Sequence, residues 1–206
     1  MADDLILYTN PMSRGRIARW MLEEVGEPYT TEIIFYGDAM KSAGYRAINP
    51  MGKVPALQHG ASVITETAAI CAYLADAFPA AGLAPPAGQR GAYYRWLFFA
   101  AGPLETAVTL NAFGLTLNDK QRMTAGFGTL PEALDALEKA VSADTYIAGS
   151  AFSAADVYVG SHIGWGLQFG TIEARPAFEA YWKRVSDRPA NRRANDIDDA
   201  LMPDEQ

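Results

Sequence analysis

The sequence predicts two domains of different class: a small α/β domain at the N-terminal end and an all-helical domain after it. Three observations predict this. The first 78 residues alternate strand-like and helix-like segments, Pro79 to Gly88 carries three prolines and two glycines with no apolar period, and everything beyond reads as helix. The expected boundaries are 1–79 for the first domain, 80–88 for the linker and 89–206 for the second.

Leu5-Ile-Leu-Tyr8 reads as a short buried strand that Asn10-Pro11 ends. From Ser13 the residues Ile17, Trp20, Met21 and Val25 fall at helical spacing, with Ser13 as N-cap and Gly26 as the C-terminal stop. Tyr29 to Phe35, rich in β-branched and aromatic residues, reads as a second strand. Strand, helix, strand implies a parallel pair joined by a crossover. Val54 to Gln58 and Ala61 to Thr65 flank His59-Gly60 and read as a hairpin. A helix over about 66–78, with Ile70, Leu74 and Phe78 on its inner face, closes the domain.

Beyond the linker, Arg90 to about Phe113 carries aromatics on several sides, which predicts a helix buried against more than one neighbour. Thr129-Leu-Pro-Glu132 and Ser153-Ala-Ala-Asp156 both match a capping box, where hydroxyl and carboxylate satisfy first-turn N–H groups reciprocally. Trp165 to Phe169 continue the second of these helices and Pro176 to Val185 start another. The charged tail from Asp187 either covers the core or frays.

Half of the 206 residues are hydrophobic, enough for a sizeable core. A net charge of −7 argues against nucleic acid as the main partner. Arg14, Arg16, Arg19, Lys41, Arg46 and Lys53 nevertheless cluster in the first quarter, a distribution that suits a small anion as well as a solvated face. Cys71 is the only cysteine, so an internal disulfide and a Cys-x-x-Cys redox pair are excluded. A buried inert thiol is the expectation there. No apolar run approaches a membrane span and Met-Ala-Asp-Asp lacks the charge of a signal peptide, so the expected compartment is the cytoplasm. His59 and His162 have no partner at ligand spacing, so no metal is expected.

The most informative segments are Asn49-Pro-Met-Gly-Lys-Val-Pro-Ala-Leu57 and Glu66-Thr67-Ala-Ala-Ile70. An X-Pro bond after a Gly turn and before a strand can be held cis, which turns a backbone edge outward. Val54 would then offer its N–H and C=O to an extended peptide lying alongside, as in strand addition. Glu66-Thr67 opens a helix whose first-turn N–H groups, together with the Thr hydroxyl, bind carboxylates. Ordered and spaced in this way, the two segments resemble those of the cytosolic glutathione transferases, and the resemblance covers essentially the whole chain. It implies a thioredoxin-like N-terminal domain, an all-helical C-terminal domain, and glutathione as a co-substrate with no metal or organic cofactor. It places Lys53 on the glycine carboxylate of glutathione, Lys41 on a neighbouring carboxylate contact, and Val54, Pro55, Glu66 and Thr67 along the peptide. Arg14 is open between a glutathione carboxylate and an ion pair.

A free thiol has a pKa of about 8.5, so only a few per cent is the nucleophilic thiolate at neutral pH. Lowering it by two units takes roughly 2.7 kcal/mol, within reach of one hydroxyl donor and a helix N-terminus. Pro-Met-Ser at 11–13 resembles the plant and bacterial serine-type transferases, whose Ser donates to the glutathione sulfur; this implies Ser13. The following Ser-Arg-Gly-Arg departs from that pattern by about one residue of spacing. Alignment of Arg14-Gly-Arg16-Ile with the family's Arg-x-Arg instead puts Thr9, with Asn10, at the active position. Tyr8 is a third candidate, because some animal classes place a catalytic Tyr at the end of the first strand.

The apolar electrophile is expected between the domains, with Phe99, Phe113, Trp165 and Phe169 available to line its pocket. The same thiolate would also serve a glutathione-dependent peroxidase or disulfide reductase, and a non-catalytic ligand-binding module is the alternative of another class. The aromatic-rich first helix of the second domain carries more apolar surface than one small core needs, which predicts a homodimer.

Overall fold

The computed structural model describes residues 5–202. It divides into two compact units: residues up to 83 together with those from 187 on, and residues 84–186.

The first unit is built on a four-stranded sheet of order β2-β1-β3-β4. The strands are β1 (Leu5–Thr9), β2 (Thr30–Ile33), β3 (Ala56–His59) and β4 (Ser62–Thr65). β1 pairs parallel with β2 and antiparallel with β3, and β3–β4 is the expected hairpin. Along β1 the side chains alternate, with Leu5, Leu7 and Thr9 buried and Ile6 and Tyr8 half-buried. Helix α1 (Gly15–Val25) covers the Thr9 face, since a Cβ on Gly15 would lie 1.7 Å from Thr9 Oγ1. Helix α4 (Thr67–Ala77) packs beside α1. On the Tyr8 face lies α3 (Ala43–Ile48), whose Tyr45 ring is 6.1 Å from that of Tyr8. A single turn, α2 (Asp38–Lys41), precedes it. Gly26, at φ 80°, ends α1 in the left-handed conformation, as its C-terminal position predicted.

The grouping of the last segment differs from the expected boundaries. Residues Pro189–Asp199 form helix α11, which packs against α1 in the first unit instead of joining the second. α1 is therefore covered on both sides, and Ile17 through Leu22 are all buried rather than one stripe alone. Charges hold the two helices in register. Arg188 grips Glu24 with both N–H groups at 2.6 and 2.7 Å, Arg193 reaches Glu23 at 3.0 Å, and Arg19 meets Asp198 at 2.9 Å. Polar composition concealed this helix: its buried face consists of Ala190, Asn191, Ala194 and Asp198, which carry no hydrophobic periodicity.

In the second unit the expected first helix is one continuous rod with a widened turn. α5 (Gly91–Phe99) passes through a π segment at Ala100–Leu104 into α6 (Glu105–Ala112), and Pro103, lacking an N–H, sits inside that segment. α7 (Asp119–Thr124) and α8 (Leu130–Val141) follow, the latter opened by the Thr129–Glu132 box. α9 (Ala154–Phe169) is buried nearly all round, and α10 (Pro176–Ser186) packs on it. At its start the Asp156 carboxylate accepts from Ser153 N, Ser153 Oγ, Ile147 N and the Tyr181 hydroxyl, all within 3.0 Å. Its role is structural, as the capping box predicted. No helix among the described residues is long and apolar enough to cross a membrane.

Candidate active site

The sheet register brings the separate segments together. Tyr8 pairs with Ala56 and Ala56 with Thr65. One residue further on, Thr9 at the end of β1 stands level with Pro55 and Glu66, which directly adjoin β3 and β4, spanning about 10 Å at a strand spacing of about 4.8 Å. Residues 9–13, 54–55 and 66–67 thus share one end of the sheet, at the C-terminal end of β1.

Their surroundings differ. Thr9 is wholly buried, and its Oγ1 points at Gly15 with no hydrogen-bond partner. Asn10 is also buried: Nδ2 donates to the Ile34 carbonyl at 3.1 Å and Oδ1 accepts from Met12 N at 2.9 Å, so its amide braces the loop. The Tyr8 hydroxyl donates across the sheet to Gln58 Oε1 at 3.0 Å. Only Ser13 of the four is both a hydroxyl near the surface and at the start of α1. It is half-buried, its Oγ accepts from Gly15 N at 2.9 Å, and its hydroxyl donates to the Asn10 carbonyl at 2.6 Å. The expected cap is thus partly realised: the side chain serves a first-turn N–H while Arg14 holds the cap position.

Val54-Pro55 is a cis peptide bond. Val54 is half-buried and enters no hydrogen bond among the described residues. The carbonyl before it does: Lys53 O accepts from the Tyr45 hydroxyl and from Asn49 Nδ2, each at 2.7 Å. The Lys53 side chain is exposed and makes no hydrogen bond or ion pair among the described residues. Lys41 is more committed than the sequence suggested, since its Nζ donates to the Met51 and Gly52 carbonyls at 3.2 and 2.7 Å. Gly52, at φ 56°, lies beneath it, where a Cβ would come 2.7 Å from the Met40 carbonyl.

Glu66 has φ 66° and ψ 117°, the single non-glycine residue with positive φ among the described residues. Such backbone costs on the order of 1–3 kcal/mol and clusters at functional sites. It is exposed and does not cap α4, so the N–H groups of Thr67, Ala68 and Ala69 lack an intrahelical partner, the first such bond being Ile70 N to Glu66 O at 2.9 Å. With the exposed Lys53 beside Val54, this end of the sheet offers a cation, free amides at the start of α4 and the unbonded backbone of Val54.

The four aromatics proposed for the co-substrate pocket lie in the second unit. Phe99 is half-buried with its ring 5.2 Å from Trp96, Trp165 is half-buried on α9, and Phe113 and Phe169 are exposed. The second unit also carries a solvent-open pocket of about 160 Å³ between α6 and the 115–131 segment, lined by Leu110, Leu115, Leu117 and Phe127 among others, and by none of those four. Among the described residues no group of three His, Cys, Asp or Glu side chains could hold a metal ion.

Sequence reasoning passed over Tyr45 and the amide of Asn49. Asn49-Pro50 carried a readable signal, an Asn accepting from the N–H two residues on, here Met51 N at 3.1 Å. Tyr45 carried none, because α3 is too short for a period to show.

Two family models match the chain: the glutathione S-transferase N-terminal domain over residues 12–77 and the glutathione S-transferase C-terminal domain over residues 96–189. Glutathione S-transferase GstA of Escherichia coli O157:H7 is 27% identical over 204 residues, covering 95% of this chain and 96% of the relative. Among solved structures, a glutathione transferase from Methylococcus capsulatus aligns with a TM-score of 0.77 at 29% identity, covering 96% of this chain and 100% of that one. A sphingomonad glutathione S-transferase complexed with glutathione aligns with a TM-score of 0.76 at 29% identity, covering 94% and 98%. Matched by both domain models and by relatives along nearly its whole length, the chain belongs to the glutathione S-transferase family.

Proposed function

We propose that this protein binds reduced glutathione at the Val54 edge, activates its thiol with Ser13, and directs the thiolate at an apolar electrophile. The single observation that carries the reading is the convergence of a half-buried hydroxyl at the start of α1, the unbonded backbone of Val54 and an uncapped helix N-terminus at one end of the sheet. The extended peptide lies along Val54, exchanging backbone hydrogen bonds with it. Its γ-glutamyl carboxylate takes the α4 N-terminus, where Thr67 and the free amides favour an anion, and its glycine carboxylate takes Lys53. Lys41 contributes mainly by holding the 51–52 loop.

Ser13 can change partners at small cost. Its hydroxyl proton rests on the Asn10 carbonyl, but that carbonyl also accepts from Ser13 N at 3.0 Å and keeps a partner when the proton turns away. A thiolate is a charged acceptor and makes a stronger bond than a neutral carbonyl. The positive end of the α1 dipole adds to this, and together they lower the thiol pKa. The thiolate then attacks the electrophilic carbon, forming a C–S bond while the leaving group departs or the electrons move to an acceptor group, which takes a proton from water. Met12, Phe35 and Tyr36, all exposed in the first unit, with the Tyr36 hydroxyl donating to the Met12 carbonyl at 3.1 Å, supply apolar surface next to the Ser13 loop for an apolar co-substrate. A cytoplasmic homodimer that conjugates toxic electrophiles fits the exposed Tyr94 and Phe98 stripe on α5.

The test is the thiol of bound glutathione, titrated by thiolate ultraviolet absorbance. The expected pKa lies about two units below the free value of about 8.5. Ser13→Ala should return it close to that value and lower kcat about 10²-fold while glutathione still binds. An unshifted thiol on the wild-type protein would sink the reading.

A further inference from the structure

Two side-chain donors converge on one backbone oxygen directly before the peptide-binding edge. Tyr45 and Asn49 are 5% and 3% exposed, and both place a donor 2.7 Å from the Lys53 carbonyl. Neither is free to drift. The Tyr45 ring packs on Tyr8 at 6.1 Å, and Asn49 is fixed at its other atoms, N donating to the Tyr45 carbonyl at 2.8 Å, O accepting from Gly52 N at 2.8 Å and Oδ1 accepting from Met51 N.

The consequence follows from peptide geometry. The Lys53–Val54 bond is trans, so the Lys53 C=O and the Val54 N–H lie in one plane and point in opposite directions. A carbonyl held inward by two hydrogen bonds sends the next N–H outward, and Val54 enters no hydrogen bond of its own among the described residues.

We propose that Tyr45 and Asn49 are positioning residues for the thiol peptide: by clamping the Lys53 carbonyl they aim the Val54 N–H at the cysteinyl carbonyl of glutathione. This rests on the glutathione reading above. The clamp acts on binding and leaves the ionisation of the sulfur to Ser13. Burial pushes the Tyr45 phenol up to about 12, with Tyr8 adding to the shift, so it stays protonated and donating throughout the working range of pH.

Tyr45→Phe removes the donor and keeps the ring; Asn49→Asp removes the amide donor and keeps the oxygen that Met51 N requires. Each should raise the Kd for glutathione, read by calorimetry, and its KM about three- to tenfold, the range for one lost hydrogen bond. The kcat at saturating glutathione and the pKa of the bound thiol should stay as in the wild type. A glutathione analogue with the cysteinyl carbonyl replaced by methylene should bind the wild-type protein more weakly and show no further loss with either variant. Unchanged glutathione affinity in both variants, or an equal loss on the carbonyl-free analogue, would overturn the inference and leave the function standing. Wild-type protein that binds no glutathione would overturn both.

Discussion

Thr9 and Gly15 are in direct apposition: Thr9 Oγ1 occupies the place where any Cβ at position 15 would lie, 1.7 Å from it. The contact closes the end of β1 under α1 and keeps the Thr9 hydroxyl out of water and without a partner. A buried hydroxyl left unbonded costs about 1–3 kcal/mol, and valine has the same shape without it. Thr9→Val should therefore fold with an equal or higher Tm and keep its transferase rate within about twofold. A loss of rate comparable to that of Ser13→Ala would return Thr9 to the catalytic role that the Arg-x-Arg alignment offered it.

The Arg19–Asp198 pair joins α1 to α11 with both side chains out of water, at 1% and 0% exposure. Removing one partner strands the other charge. Asp198→Ala should lower the unfolding free energy by about 3–5 kcal/mol in urea, far more than Asp199→Ala, whose pairing with Arg16 is solvent-exposed. Equal effects would mean that the buried pair is no stronger than the surface one.

Glu66 holds a backbone conformation that suits glycine, at the position directly before the first residue of α4. Glu66→Gly should relieve about 1–3 kcal/mol of backbone strain. Stability and function should part: Tm rises while the KM for glutathione increases. A fall in both would show that the Glu66 side chain supports the fold.

Cys71 faces the core of the first unit, and burial holds its thiol far above the ordinary range. Thiolate is scarce there even at alkaline pH, because removing the proton would leave a charge without water. An aromatic disulfide reagent at pH 8 should find no reactive thiol in the folded protein and one after unfolding in guanidinium. Rapid reaction in the folded state would contradict the packing of α4.

Much of this molecule was legible in its sequence for local reasons. The short strand from Leu5 that Asn10-Pro11 ends, the glycine stop at 26, the hairpin around His59-Gly60 and the Ser153–Asp156 box are each set by residues within a turn or two of one another. The Val54-Pro55 and Glu66-Thr67 segments were readable because backbone conformation at an X-Pro step and at a helix start is also local. α3 escaped notice because six residues show no period. α11 escaped because ion pairs, more than apolar burial, hold it to α1.

The choice among Ser13, Thr9 and Tyr8 was of another kind. All three carry a hydroxyl at the right end of β1, and the sequence ranks them only by resemblance. The strand register and the seat of α1 separate them: Thr9 turns under Gly15, Tyr8 reaches across to Gln58, and Ser13 remains at the surface. Lys41 shows the same thing, since only the folded loop reveals that its ammonium is already held by two carbonyls. The sequence by itself determined the α/β and helical halves and the family, because each depends on neighbours along the chain. Tertiary structure decided which hydroxyl stays near the surface, where the C-terminal helix docks and what holds the Lys53 carbonyl beside Val54, because burial and hydrogen-bond partners are set by residues that the chain brings together only by folding.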